Sequence, residues 1–154
     1  MRKLKTDILS QLLYWVVMGG LALATASLAA LPWLMDFVFE GSAFYNLVEH
    51  YKILVLLYIT GVPAWIVLWM TRKLAQNIID REPFSGSSSQ SLKVISICAL
   101  FIFLCYLFTC IFMQATFGII VITAGAFMVA LIAAILYRLV ELAIEIKEEN
   151  ELTI

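Results

Sequence analysis

The only histidine of the chain, His50, stands beside Glu49 in a stretch that also carries Asp36 and Glu40. Imidazole titrates near neutral pH and binds metals, so this is the first place where chemistry could reside. A zinc centre needs three or four ligands at workable spacing, and one histidine with scattered carboxylates at a lipid–water boundary does not supply them. The three cysteines, Cys98, Cys105 and Cys110, all fall in one apolar stretch, at spacings that suit neither a CxxC redox pair nor a zinc site. Free cysteine in such a setting behaves as a small hydrophobe, and no disulfide is expected. No GxSxG, HExxH, P-loop or dinucleotide fingerprint occurs. The expectation is a protein that is not an enzyme and uses neither metal nor cofactor.

The elements that must carry these residues are set by composition. Of 154 residues, 64% are hydrophobic and only 14% charged, with a mean hydropathy of +1.00. A soluble domain carries about a quarter charged residues, so this chain lacks the polar surface to cover a water-soluble globule. A net charge of −1 argues neither for direct nucleic-acid binding nor for an acidic substrate. Four uninterrupted apolar segments reach the ~20 residues that cross a bilayer. They are residues 12–34, 53–71, 94–113 and 117–137, and none has a charged side chain in its interior. In lipid the backbone must satisfy its own hydrogen bonds, so each is expected to be a helix. The basic opening "MRKLK" and the small residues of "LALATASLAA" resemble a secretory signal. The apolar run continues through "LPWLMDFVF", however, so an uncleaved first span is expected.

Orientation follows from the basic residues. With the N-terminus in the cytoplasm, Arg2, Lys3, Lys5, Arg72, Lys73, Arg81, Lys93, Arg138 and Lys147 lie inside, and only Lys52 lies outside. This is a strong positive-inside bias. The reading is therefore all-α: a single transmembrane domain of four helices, residues 1–154, with both termini cytoplasmic. A cytoplasmic loop spans 72–93 and a cytoplasmic tail 138–154. The outer loop, 35–51, carries Asp36, Glu40, Glu49 and four aromatics, and the short "QAT" turn joins spans three and four into an antiparallel hairpin. In the cytoplasmic loop, Pro83 ends a helical stripe through Leu74, Ile78 and Ile79. Ser87 and Gln90 have the capping-box spacing to start the next helix.

Pro63, beside Gly61 in span two, removes one backbone hydrogen bond and frees the carbonyl of Ile59. It marks a hinge, a cavity lining or a fixed kink. Ala22, Ala26 and Ala30 in span one, and Ala126, Ala130 and Ala134 in span four, recur at helical spacing. Such faces let helices approach closely, within one chain or in a homo-oligomer. Transporters driven by protons keep an ionisable side chain within the membrane, and none of the spans has one. From Arg138 onward, Arg138, Glu141, Glu145 and Glu148 share one helical face, with Leu139, Leu142 and Ile146 opposite and Val140 and Ala143 with them. This predicts an amphipathic extension of the fourth helix, whose acidic stripe anionic lipid would repel. It ends in "ELTI" rather than in disordered polar sequence.

The stretch "EIKEENELTI", residues 145–154, and the "PFS…SLKVI" pattern of residues 83–95 resemble a bacterial family of small four-span membrane proteins, domain of unknown function 2975. The resemblance covers essentially the whole chain. Its members are similar in an Asn-Pro-Phe loop and a Lys-Glu-Glu-Asn-Asp-Leu-Thr-Ile ending. Glu82 stands here where asparagine is usual, and Glu151 where aspartate is common. The resemblance implies a multi-pass protein of the bacterial plasma or inner membrane. It further implies a partner, because members are often encoded beside a very small helix-turn-helix regulator. A membrane protein that tethers or regulates such a cytoplasmic protein would use Pro83, Phe84 and Ser85 with Glu145, Lys147, Glu148, Glu149, Asn150, Leu152 and Ile154. The alternatives are a small oligomeric permease or channel hinged at Pro63, and protection against membrane-active peptides through the outer loop.

Overall fold

A computed structural model describes residues 2–39, 47–112 and 116–153, with side chains described from residue 8 to 37, 51 to 112 and 116 to 153. The described chain is helical and without strands: α1 (Arg2–Phe39), α2 (Leu47–Ile79), α3 (Gly86–Phe112) and α4 (Phe117–Leu152). All four are long and apolar enough to cross a membrane. Each of the four apolar stretches identified above falls on one helix, although residue 113, at the end of the third, lies outside the described residues. So do Gln114 and Ala115 of the "QAT" turn, Ile154, and the side chains of Glu40, Glu49 and His50.

Among the described residues the helices pack against their neighbours in sequence, α1 on α2, α2 on α3 and α3 on α4. Among the described residues α1 and α4 never meet, so the helices form an open row rather than a closed bundle. Every adjacent pair is antiparallel, as the cross-contacts show. Between α1 and α2, Tyr14 meets Arg72, Thr25 meets Trp65 and Leu28 meets Gly61. Between α2 and α3, Asn77 meets Ser88 and Thr60 meets Tyr106. Between α3 and α4, Lys93 meets Tyr137, Ser96 meets Ala130 and Cys110 meets Thr123.

Small and hydroxyl side chains make these approaches possible. Water-driven burial gives no advantage between helices already in lipid, so close packing and interhelical hydrogen bonds carry association. Ser96 donates to the main-chain carbonyl of Ala130 at 3.1 Å, and Ala130 and Ala133 are buried against α3. The small-residue face of α4 is thus used within the chain. That of α1 is not, because Ala22 and Ala26 are exposed. A side chain at Gly61 would place its Cβ 2.5 Å from Leu28 Cδ2, so an added methyl there would have to turn the end of the Leu28 side chain aside. Pro63 sits inside α2 just beyond this crossing.

The turn between α2 and α3 is tightly built. The Glu82 N–H donates to the Asn77 carbonyl at 2.9 Å and the Arg81 N–H to the Ile78 carbonyl at 3.3 Å. Arg81 takes the left-handed conformation, φ 63°. Together these form a Schellman ending with arginine where glycine is usual, and Pro83 follows to block continuation. The next helix starts two residues earlier than the Ser87–Gln90 spacing suggested. Ser85 precedes Gly86, and its hydroxyl accepts from the Ser88 N–H at 3.3 Å. Four hydroxyl residues between 85 and 89 all offer possible caps, so the sequence alone did not single out Ser85.

Candidate functional site

All the residues singled out for docking that the structure describes lie at one end of the row. The α2–α3 turn, the start of α1 and the far end of α4 share that end by antiparallel packing. Ser85 is occupied as the cap of α3, and Pro83 belongs to the tight turn. Phe84 is 59% exposed. The turn offers little adaptable surface beyond this one ring.

α4 behaves differently. It runs 36 residues without a break, about 54 Å at 1.5 Å per residue, against a hydrocarbon core of ~30 Å. Lys93 of α3 lies over the ring of Tyr137, and α3 extends only seven residues further, to Gly86. Seven residues beyond Tyr137 bring α4 to Ile144. Past that level α4 has no packed neighbour among the described residues, and every residue from 145 to 153 is exposed. Glu145, Lys147, Glu148, Glu149 and Asn150 therefore stand on a free helical segment with Leu152, 88% exposed, near its tip. The Thr153 hydroxyl closes the helix on the Glu149 carbonyl.

The base of this segment is fixed. Arg138 Nη1 donates to Glu141 Oε2 at 2.8 Å, and the Tyr137 hydroxyl donates to Glu141 Oε1 at 2.9 Å. Val140 is buried against α3, whereas Leu139, Leu142 and Ile146 are all more than half exposed. The sequence had grouped Val140 with those leucines. The helix in fact has three faces here: Val140 inward, the glutamates on a second, and the leucines on a third.

Other interhelical polar contacts lie deeper. Thr60 and Tyr106 are buried and meet hydroxyl to hydroxyl at 3.4 Å, while Thr60 donates to Leu56 O at 2.8 Å. An apolar groove of about 320 Å³ runs between α3 and α4, lined by Phe103, Leu107, Cys110, Ile120, Thr123 and Phe127 among others. It is open to lipid and offers a ligand almost no polar partner. Sequence reasoning missed Arg72, which meets Tyr14 and Trp69 at the end of the row that carries the tail. Its signal was available in the tyrosine and tryptophan girdle that marks membrane interfaces.

Four membrane-crossing helices with polar links confined to their contacts define a polytopic integral membrane protein. Residues 15–154 match the model of the family described as Protein of unknown function (DUF2975), and the chain belongs to that family. It is 34% identical over 114 residues to the uncharacterized membrane protein YoaS of Bacillus subtilis (strain 168), an overlap covering 68% of this chain and 71% of that protein. No solved structure matches the chain.

Proposed function

We propose that this chain is a non-catalytic membrane partner that holds a small cytoplasmic protein on the free end of α4. The observation that carries the reading is the projection of residues 145–152 beyond every packed neighbour. A helix with no packing duty there still keeps a patterned surface, with Glu145, Glu148 and Glu149 along it and Leu152 at the tip. Complementary charge speeds encounter and fixes orientation, and a desolvated apolar contact slows release. A small basic DNA-binding regulator fits that chemistry. The cytoplasmic position of the tail rests on the distribution of basic residues. Phe84 would lie at the same end as a second contact.

A permease would need several copies, since a row in which α1 and α4 do not meet encloses no path of its own. Protection against membrane-active peptides would depend on the outer loop, most of whose side chains lie outside those described.

The test is co-purification of the partner from native membranes with the full chain and with a chain ending at Ile144. The cut falls there because Val140 and the Arg138–Glu141 pair belong to the packed part of α4. A small basic protein retained by the full chain and lost with the tail supports the reading. Equal recovery with both chains sinks it.

A further inference from the structure

At the end of the row that carries the tail, two cations are held by aromatic rings. The Arg72 guanidinium carbon lies 5.1 Å from the Trp69 ring centre and 5.9 Å from that of Tyr14. Lys93 Nζ lies 5.9 Å from the Tyr137 ring centre. The helix register puts them at one depth. Asn77–Ser88 and Thr60–Tyr106 pair residues of α2 and α3 whose numbers sum to about 165, which sets Arg72 opposite Lys93. Arg138, one residue past Tyr137, differs in having a carboxylate of its own, Glu141.

Arg72 pairs with no carboxylate among the described residues. Its Nε is buried without a hydrogen-bond partner, and its Nη2 meets the Tyr14 hydroxyl at only 3.5 Å. Two rings flank the guanidinium and restrict where it can move, which favours a held fork that can meet a planar or tetrahedral oxyanion. Tyr14 adds a hydroxyl beside the fork. Trp69 and Tyr14 are the residues that settle at headgroup depth, which is where lipid phosphates lie.

We infer that Arg72 and Tyr14, between α1 and α2, form a phosphate site occupied by the headgroup of an anionic phospholipid. The source is lipid rather than free phosphate because the site opens at the bilayer surface beside two apolar helices that can take the acyl chains. The inference is independent of the partner reading, and it gives α1 a role that its sparse packing does not.

The purified full chain in mild detergent would be titrated with phosphatidylglycerol or phosphatidylcholine, and bound lipid counted by native mass spectrometry. The expected result is a roughly fivefold preference for phosphatidylglycerol, the scale of one interfacial cation. Arg72→Gln should abolish that preference, while Lys73→Gln, which removes the same charge one residue away, should keep it. Arg72→Lys, which keeps the charge and loses the fork, should fall between. Equal losses from Arg72→Gln and Lys73→Gln would overturn the site in favour of diffuse attraction. Saturable binding of inorganic phosphate that displaces phosphatidylglycerol would overturn the lipid source. Thermal unfolding of each variant in lipid-free detergent, expected to match the parent, separates lost binding from lost folding.

Discussion

The side-chain amide of Asn77 donates to the Ser88 hydroxyl at 2.9 Å, tying the last turn of α2 to the first turn of α3. Ser88 of α3 and Ala75 of α2 are each only 1% exposed. Small side chains suit a crossing this enclosed. Ser88→Ala should therefore cost about 0.5–1.5 kcal/mol, as interhelical hydrogen bonds in membranes do. Ser88→Leu should cost more, about 1–3 kcal/mol, because the site has no room. Unfolding midpoints in mixed micelles would show the order, and a neutral Ser88→Leu would refute the close crossing.

Arg81 occupies the left-handed region in which a Cβ is penalised by about 1–2 kcal/mol. Arg81→Gly should raise stability by up to about 1 kcal/mol, and Arg81→Val should lower it. The same micelle titration decides, and a destabilising glycine would mean that the arginine side chain contributes more than its backbone costs.

Gly61→Ala should cost less than about 1 kcal/mol, because Leu28 Cδ2 is the far end of a flexible side chain that can turn aside and a helix favours alanine over glycine. The clash is with one side chain, Leu28, so adding Leu28→Ala should recover part of that loss. A double-mutant cycle would measure the coupling. Gly19→Ala, whose Cβ would meet nothing within 4 Å, is the matched control and should be neutral or mildly stabilising through helix propensity alone.

Tyr106→Phe removes the hydroxyl that faces buried Thr60. Thr60 keeps its bond to Leu56 O, so the loss should be modest, about 0.5–1 kcal/mol. Thr60→Val should cost no more than that. A much larger effect in either variant would point to a wider polar network around the pair.

Reversal of Glu145 and Glu148 to lysine should leave the unfolding midpoint within about 0.5 kcal/mol of the parent, as exposed positions do. If the proposed partner is basic, the same change should abolish its retention. Retention at the parent level would remove charge complementarity from the proposal.

The helices and the continuation of α4 past Tyr137 were legible because both rest on periodicity and on the cost of exposed backbone in lipid. Val140 does face away from the glutamates, but it could not be told apart from Leu139 and Leu142, because hydropathy does not distinguish a face toward lipid from one toward α3. The same ambiguity hid the row. Ala22 and Ala26 have the spacing of Ala126 and Ala130, yet only the α4 set meets another helix. Arg72 escaped notice as a site because a count of basic residues records orientation, and the Tyr14 ring that flanks it lies 58 positions away.

Because spatial order equals chain order, every tertiary contact in the row forms between elements made one after the other. No helix waits for a distant partner, so contact order stays low and assembly can keep pace with synthesis and insertion. Each hairpin can close once its second helix is in the bilayer, and α4 makes no contact with α1 or α2 among the described residues. The protein is in this respect nearer to a repeat array, whose cohesion passes from neighbour to neighbour, than to a bundle with one shared centre.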